Sequence, residues 1–255
     1  MESKEIYLFS RIEKEHFFYR ARRDIVKVWL SRLFPNPGLK PLVVDAGAGT
    51  GIFVKEIQGT CEAVGSDIFF EPGVSLAGTD LVRADAARLP FSGNTADASV
   101  ALDLLEHLDN DAAGMKELER ITKPGGYVFI NVPAFQLLWS DWDQAVGHKR
   151  RYKKQMLKAL AEQAGLEIIF LSYVNSLPFF PILLYRWLRS TFGFGKNQRL
   201  EDKLPPALVN RFFLWAFVEQ GIRGWIKLPF GVSLFCVLRK KSGNKQGEFS
   251  SKYMK

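Results

Sequence analysis

A chain of 255 residues, 47% of them hydrophobic, can hold one full-sized core and an elaboration but not two large domains. Its formal charge of +8 points toward an anionic class of partner: a phospholipid surface, a phosphorylated substrate or nucleic acid. The start Met1, Glu2, Ser3, Lys4, Glu5 lacks the basic and apolar regions of a signal peptide, and no uninterrupted run of about twenty apolar residues occurs, so the expectation is a cytoplasmic chain that is neither secreted nor membrane-spanning.

Residues 12–33 carry apolar and aromatic side chains at helical spacing around Arg20, Arg22 and Arg23, and the pattern stops at Pro35-Asn36-Pro37-Gly38. This predicts an N-terminal helical cap over residues 1–38 that ends in a turn. A buried strand is expected at 41–45, then a glycine loop, then a helix beginning at 52–57. Further strands are expected at 61–66, 81–84, 98–102 and 127–132, with a helix at 111–121 and a turn at Lys123-Pro124-Gly125-Gly126. A helix at 153–164 and strands at 166–173 and 232–238 complete the pattern. Cys61 and Cys236 sit in separate apolar runs with no CxxC or Cys/His cluster, and both read as reduced, buried side chains.

The alternation predicts an α/β fold, a doubly wound and mostly parallel sheet of seven strands, with ligands outside the carboxyl ends of the strands. The core spans residues 39–174 and 229–241. Residues 175–228 form a hydrophobic insertion before the last strand, and residues 242–255 a basic, disordered tail.

The most informative segment is Val43-Val44-Asp45-Ala46-Gly47-Ala48-Gly49-Thr50-Gly51. Three glycines at alternate positions between a strand and a helix let backbone approach a bulky ligand. A dinucleotide loop needs a third glycine where Ile52 stands, which weakens a pyrophosphate reading.

The segment resembles the first motif of class I S-adenosyl-L-methionine (SAM) dependent methyltransferases, an acidic residue followed by G-x-G-x-G. The resemblance implies SAM as cofactor, with Gly47, Gly49 and Gly51 flanking its methionine part and Asp45 ordering the loop or meeting the amino group through water. Asp67, at the end of the second strand, is then placed to accept the ribose hydroxyls. Asp85, with the backbone of Ala86, resembles the family's adenine contact. Asp103-Leu104-Leu105-Glu106-His107-Leu108 and Lys123-Pro124-Gly125-Gly126 also look like the family pattern. Within the family, residues 147–152 resemble a G-H-x-R-R-Y element found in one bacterial subset, and residues 16–23 an H-F-x-x-R-R element.

Methyl transfer from a sulfonium is an in-line displacement, so positioning and desolvation carry most of the rate. A hydroxyl acceptor also needs a base. His107, beside Glu106 past the fourth strand, is the first candidate base, against a purely local capping role. His148 is the second, in the polar segment after the fifth strand. There Asp143, Arg150, Arg151 and Tyr152 are candidate acceptor-binding residues: the arginines could grip a phosphate or carboxylate in a fork, or form salt bridges tying this loop to the N-terminal helix. His16 reads as a packed core or lid residue.

Residues 177–187 and 212–225 are rich in Phe, Trp and Leu, with arginines at intervals. They suit either an interfacial segment touching an anionic membrane, perhipheral on its inner face, or a lid over the acceptor pocket. The expected acceptor is a small or lipid-like molecule methylated at O or C. No specific nucleic-acid partner is expected, since no Asn-Pro-Pro-aromatic motif follows the fourth strand. No metal is expected, since no zinc-ligand spacing or acidic cluster beyond Asp141 and Asp143 is visible. The alternatives are an NAD-type oxidoreductase on a related sheet and a non-catalytic SAM-binding protein.

Overall fold

The computed structural model describes residues 12–36, 38–69, 78–192, 204–223 and 229–242. A helical turn over residues 12–15 leads into α1 (Phe17–Leu33), β1 (Leu42–Ala46), α2 (Ile52–Ile57), β2 (Glu62–Asp67), β3 (Leu81–Arg83) and β4 (Ala96–Leu102). Then come α3 (Asp111–Ile121), β5 (Thr122–Pro133), α4 (Asp141–Ala145), α5 (Lys154–Gln163), β6 (Leu166–Val174), α6 (Phe179–Phe192), α7 (Ala207–Arg223) and β7 (Ser233–Lys240). Short 3-10 turns lie at Leu105–His107 and Gln136–Leu138.

The seven strands lie in the order β3-β2-β1-β4-β5-β7-β6. The first five pair in parallel, and β7 runs antiparallel to both β5 and β6. Alternate residues of each central strand serve opposite layers, as a period of two requires. Val43, Val100, Phe129 and Val237 face a core closed by α1, α2 and α7. Their neighbours Val44, Ala101, Ile130 and Cys236 face a core closed by α3 and α5. Both cysteines are free and buried. The reversal of strand order beside β1 opens the crevice at the carboxyl ends of β1, β2 and β4, where this class of sheet holds ligands.

Two local expectations differ from what the chain does. The helix expected over 12–33 is interrupted at His16, which takes an extended backbone and caps α1, its Nδ1 accepting the Phe18 N–H at 3.2 Å. The turn expected at residues 123–126 is an excursion within β5: Thr122 still pairs with Ala96 and Tyr127 with Ala98, and Gly125 takes φ +81°. Pro37 and residues 243–255, which hold part of the first turn and nearly all of the predicted tail, lie outside the described residues, as do residues 193–203 and 224–228 of the insertion.

The described part of the insertion provides α6 and α7, and α7 packs along α1. Trp29 Nε1 donates to the Gly221 carbonyl at 3.0 Å, the Phe17 and Phe213 rings lie 5.2 Å apart, and Asn210 accepts the Phe17 N–H at 2.8 Å. The helices approach closely because position 221 has no side chain; a Cβ there would lie 2.3 Å from Ile25 Cδ1. Gly221→Leu should therefore overpack this seam by about 1–3 kcal/mol, read as a lower midpoint in urea unfolding. An unchanged midpoint would mean that α7 is not held against α1.

Candidate active site

β1 delivers Asp45 to the crevice, and the chain then turns through three left-handed glycines: Gly47 at φ +76°, Gly49 at +53° and Gly51 at +80°. Side chains rarely adopt that region, which explains the residue choice. The loop is held from β2: Gly47 and Ala48 N–H groups donate to the Ser66 carbonyl at 2.8 and 3.0 Å. Asp67 accepts the Gly49 N–H at 2.9 Å on one carboxylate oxygen and the Phe69 N–H at 2.9 Å on the other, leaving acceptor capacity on both. Asp85 is exposed, with Oδ1 accepting the Ala87 N–H at 2.8 Å, and Ala86 is buried beside it. Asp45, Gly47, Gly49, Gly51 and Asp67 are thus brought together, with Asp85 and Ala86 just beyond β3.

Two residues that the sequence reading did not single out for this site reach it from the N-terminal segment. Glu13 is buried, accepts the Thr50 hydroxyl at 2.7 Å, and has Oε1 3.9 Å from where a Cβ on Gly49 would stand. Arg22 pairs with Asp103 at the end of β4, and its guanidinium lies 4.9 Å from the Tyr19 ring centroid. Its Nε is buried with no hydrogen-bond partner among the described residues. Burial pushes the Asp45 carboxyl up to about 8, opposed by Arg22 and reinforced by Glu13 and Asp67.

The second half of the site is built on the 3-10 turn after β4. Leu104 packs over the loop, since a Cβ on Gly47 would meet Leu104 Cδ1 at 2.9 Å. Glu106 is fully buried, and neither carboxyl oxygen has a hydrogen-bond partner among the described residues. Burial raises its carboxyl to about 8. The Lys149 N–H donates to the Glu106 carbonyl at 2.8 Å, which brings His148 against the turn. The His107 and His148 rings meet edge to face at 4.8 Å, and His148 Nε2 lies 3.9 Å from Glu106 Oε1. Burial, with the neighbouring His148, lowers His107 to about 4, so at neutral pH it is an uncharged imidazole.

Asp143 orients this arrangement. It contacts His148 Nδ1 at 2.8 Å and takes Arg151 in a fork, Nε at 2.7 Å and Nη2 at 3.0 Å. Burial would raise its carboxyl, but the His148 and Arg151 hydrogen bonds, the Arg151 charge and the Ser140 N–H hold it well below the usual carboxylate range.

The predicted acceptor-binding residues are therefore already engaged. Arg151 is buried and also donates to the Ala134 carbonyl at 3.2 Å. Arg150 contacts Asp111 at 3.0 Å and the Leu108 and Asp109 carbonyls at 2.9 Å. The Tyr152 hydroxyl donates to Asp111 at 2.8 Å from a fully buried position. These pairs brace the loop on α3 and on itself, where the salt-bridge expectation had placed the N-terminal helix. An anion fork made by Arg150 and Arg151 would have to give up these partners. His16 is a buried helix cap, as the packed reading anticipated, and burial lowers it to about 4.

The strand order β3-β2-β1-β4-β5-β7-β6 with β7 antiparallel, together with a left-handed glycine loop after β1 and an acidic residue closing β2, is the class I methyltransferase architecture. Residues 18–171 match the family described as a methyltransferase domain, and the chain belongs to that family. It is 35% identical over 127 residues to a demethylmenaquinone methyltransferase of Corynebacterium kroppenstedtii, a stretch covering 46% of this chain and 54% of the relative. A counterpart from Corynebacterium urealyticum is 34% identical over 122 residues, 44% of this chain and 51% of the relative. The chain thus spans about half the length of these curated relatives. Among solved structures, a SAM-dependent methyltransferase of Thermotoga maritima superposes with a TM-score of 0.58 at 19% identity, over 93% of this chain and 99% of that one. One from Archaeoglobus fulgidus gives 0.56 at 20%, over 92% and 100%. Family membership sets aside the oxidoreductase alternative.

Proposed function

We propose that the chain binds SAM in the glycine loop and moves its methyl group to a lipid-like acceptor with an ionisable ring hydroxyl, of the quinol type. The observation that carries this reading is the bare left-handed loop, against which Leu104 packs, with the buried Glu106 two residues beyond Leu104 in the same turn and His107 and His148 beside it. The relatives named as demethylmenaquinone methyltransferases favour the quinol class.

The residues present fit the cofactor. Glu13 and Asp45 are buried acids beside the loop, suited to an ammonium, and the unpartnered Nε of Arg22 suits a carboxylate. Asp67 retains capacity for ribose hydroxyls, and Asp85 with Ala86 closes the adenine end. SAM supplies a methyl group on a sulfonium with a neutral leaving group. The chain's part is to align the acceptor, exclude water and take a proton. Asp143 holds His148 by Nδ1 and leaves Nε2 facing the cluster, which makes His148 the better-placed base; burial leaves His107 too weakly basic.

The test is incubation of the pure protein with methyl-labelled SAM and a demethylated prenyl naphthoquinol in detergent, with products followed by mass spectrometry. Transfer of one labelled methyl supports the proposal. SAM binding with no labelled product, from the naphthoquinol or from lipid extract, would leave the non-catalytic binding alternative.

An acceptor of this kind is reached from a membrane. Leu177, Phe180, Leu184 and Trp187 in and before α6, and Leu208, Phe212 and Trp215 on α7, are exposed at helical spacing. No helix among the described residues is long and apolar enough to cross a bilayer, so the contact proposed is interfacial. Co-sedimentation with anionic vesicles should be lost when Phe180, Trp187, Phe212 and Trp215 are replaced by Ser.

The state of Asp45 gives this reading a pH signature. With its carboxyl at about 8, Asp45 is mostly protonated at pH 7. A bound ammonium favours the carboxylate, so binding expels a proton and SAM affinity should rise with pH from about 6 to 8, by up to about tenfold per unit. Calorimetry in buffers of different ionisation enthalpy reads the proton directly. Asp45→Asn should flatten the dependence; an equal slope in both proteins would remove Asp45 from the ammonium site.

A further inference from the structure

We propose that Glu106, His107 and His148 form a binding site for one divalent transition-metal ion of the zinc or cobalt class. One ligand atom from each lies within 4.8 Å of the others. At metal–ligand distances of about 2.0–2.2 Å, tetrahedral ligand atoms stand about 3.3–3.6 Å apart, so side-chain adjustments of about 1 Å complete the set.

Three independent features point to a cation. The carboxyl of Glu106 is fully buried with neither oxygen hydrogen-bonded among the described residues, a costly arrangement unless something else occupies them. His148 has its Nδ1 fixed on Asp143 at 2.8 Å, the outer-shell carboxylate that fixes ring orientation in metal-binding histidines, so Nε2 is the ligand atom, and a bound metal takes the lone pair by which His148 acts as base in the metal-free protein. Two imidazoles and one carboxylate are the donor set that borderline divalent metals take with positions left open for water or a substrate oxygen.

The charge balance permits it. Arg22 and Arg151, the cations acting on Glu106, are paired with Asp103 and Asp143, and Lys149 beside His107 is paired with Asp109. Arg186 approaches Asp143 at 3.9 Å from the side of α6. Sequence spacing gave no hint because two ligands are adjacent and the third is forty-one residues away, brought in by the Lys149 to Glu106 backbone bond.

The site goes beyond the cofactor reading, so the two are measured separately. Full-length protein, stripped with chelator, is titrated with Co2+ while its visible d–d bands are followed, then with Zn2+ in competition, and SAM affinity is measured on the same samples by calorimetry. The expected result is one equivalent of Co2+ with nitrogen-donor bands, displaced by Zn2+, and a Zn2+-dependent rise in melting temperature. Glu106→Gln and His148→Gln should each weaken Co2+ binding by at least about tenfold while SAM affinity stays; His16→Gln should keep the bands. Absence of an equimolar Co2+ complex in the folded wild type overturns the proposal without reference to any variant. So does wild-type Co2+ affinity in both Glu106→Gln and His148→Gln. Loss of SAM binding alone would count against the cofactor reading and leave the metal site standing.

Discussion

Gly49→Val should give a folded protein whose SAM affinity has fallen by about 100-fold or more, close to 2.7 kcal/mol. Position 49 is unlike its neighbours in the loop. A Cβ at Gly47 would meet Leu104 at 2.9 Å and one at Gly51 would meet Leu81 at 2.9 Å, whereas at Gly49 the nearest atom is Glu13 Oε1 at 3.9 Å. A Cβ there therefore meets no packed neighbour, and the valine side chain extends into the space proposed for the cofactor. The left-handed backbone, φ +53°, adds a strain of about 1–3 kcal/mol, so a modest fall in melting temperature should accompany the loss. Gly65→Val is the contrasting case: its Cβ would stand 2.6 Å from Ala48 Cβ and 2.4 Å from Leu81 Cδ2, and it should fail by unfolding. Equal SAM affinity in wild type and Gly49→Val, by calorimetry, would mean that the loop does not hold the cofactor.

The second large effect is expected at Asp143. Its removal strands Arg151, which is 6% exposed and directs both Nε and Nη2 at this carboxylate, and it frees the His148 ring. Breaking a buried pair by deleting one partner costs about 3–5 kcal/mol, so Asp143→Ala should melt roughly 6–20 °C lower for a chain of this size. Removing the stranded charge as well, in Asp143→Ala with Arg151→Met, should recover part of the loss, a coupling that a double-mutant cycle reads. Turnover should fall in Asp143→Ala even at temperatures where it is folded, because His148 is no longer oriented. A melting point within about 2 °C of wild type would mean that Arg151 is not braced and is available to an acceptor anion.

What the sequence discloses and what it conceals divide along the range of the interactions. The strands are legible because each is a short apolar run whose alternate residues feed two cores, as Val43 and Val44 do. The glycine loop is legible because a left-handed backbone restricts residue choice at each position. The cap at His16 is not, because an imidazole accepting one N–H leaves the apolar periodicity on either side intact. Glu13 over the loop and Arg22 against Asp103 depend on where a terminal segment docks, and nothing in their local pattern records that. The arginines of residues 150 and 151 read equally as anion grips or braces until Asp111 and Asp143 are in place. Glu106 and His107 were visible as a pair, but the full burial of Glu106 and the approach of His148 arise from the fold of the loop after β5.

The central claim, that the loop after β1 holds SAM, is tested most directly by calorimetric titration of the pure protein with SAM, S-adenosylhomocysteine and NAD in parallel. One equivalent of SAM and of its demethylated product should bind, with no heat from NAD. A folded sample that binds neither adenosyl compound would contradict the account.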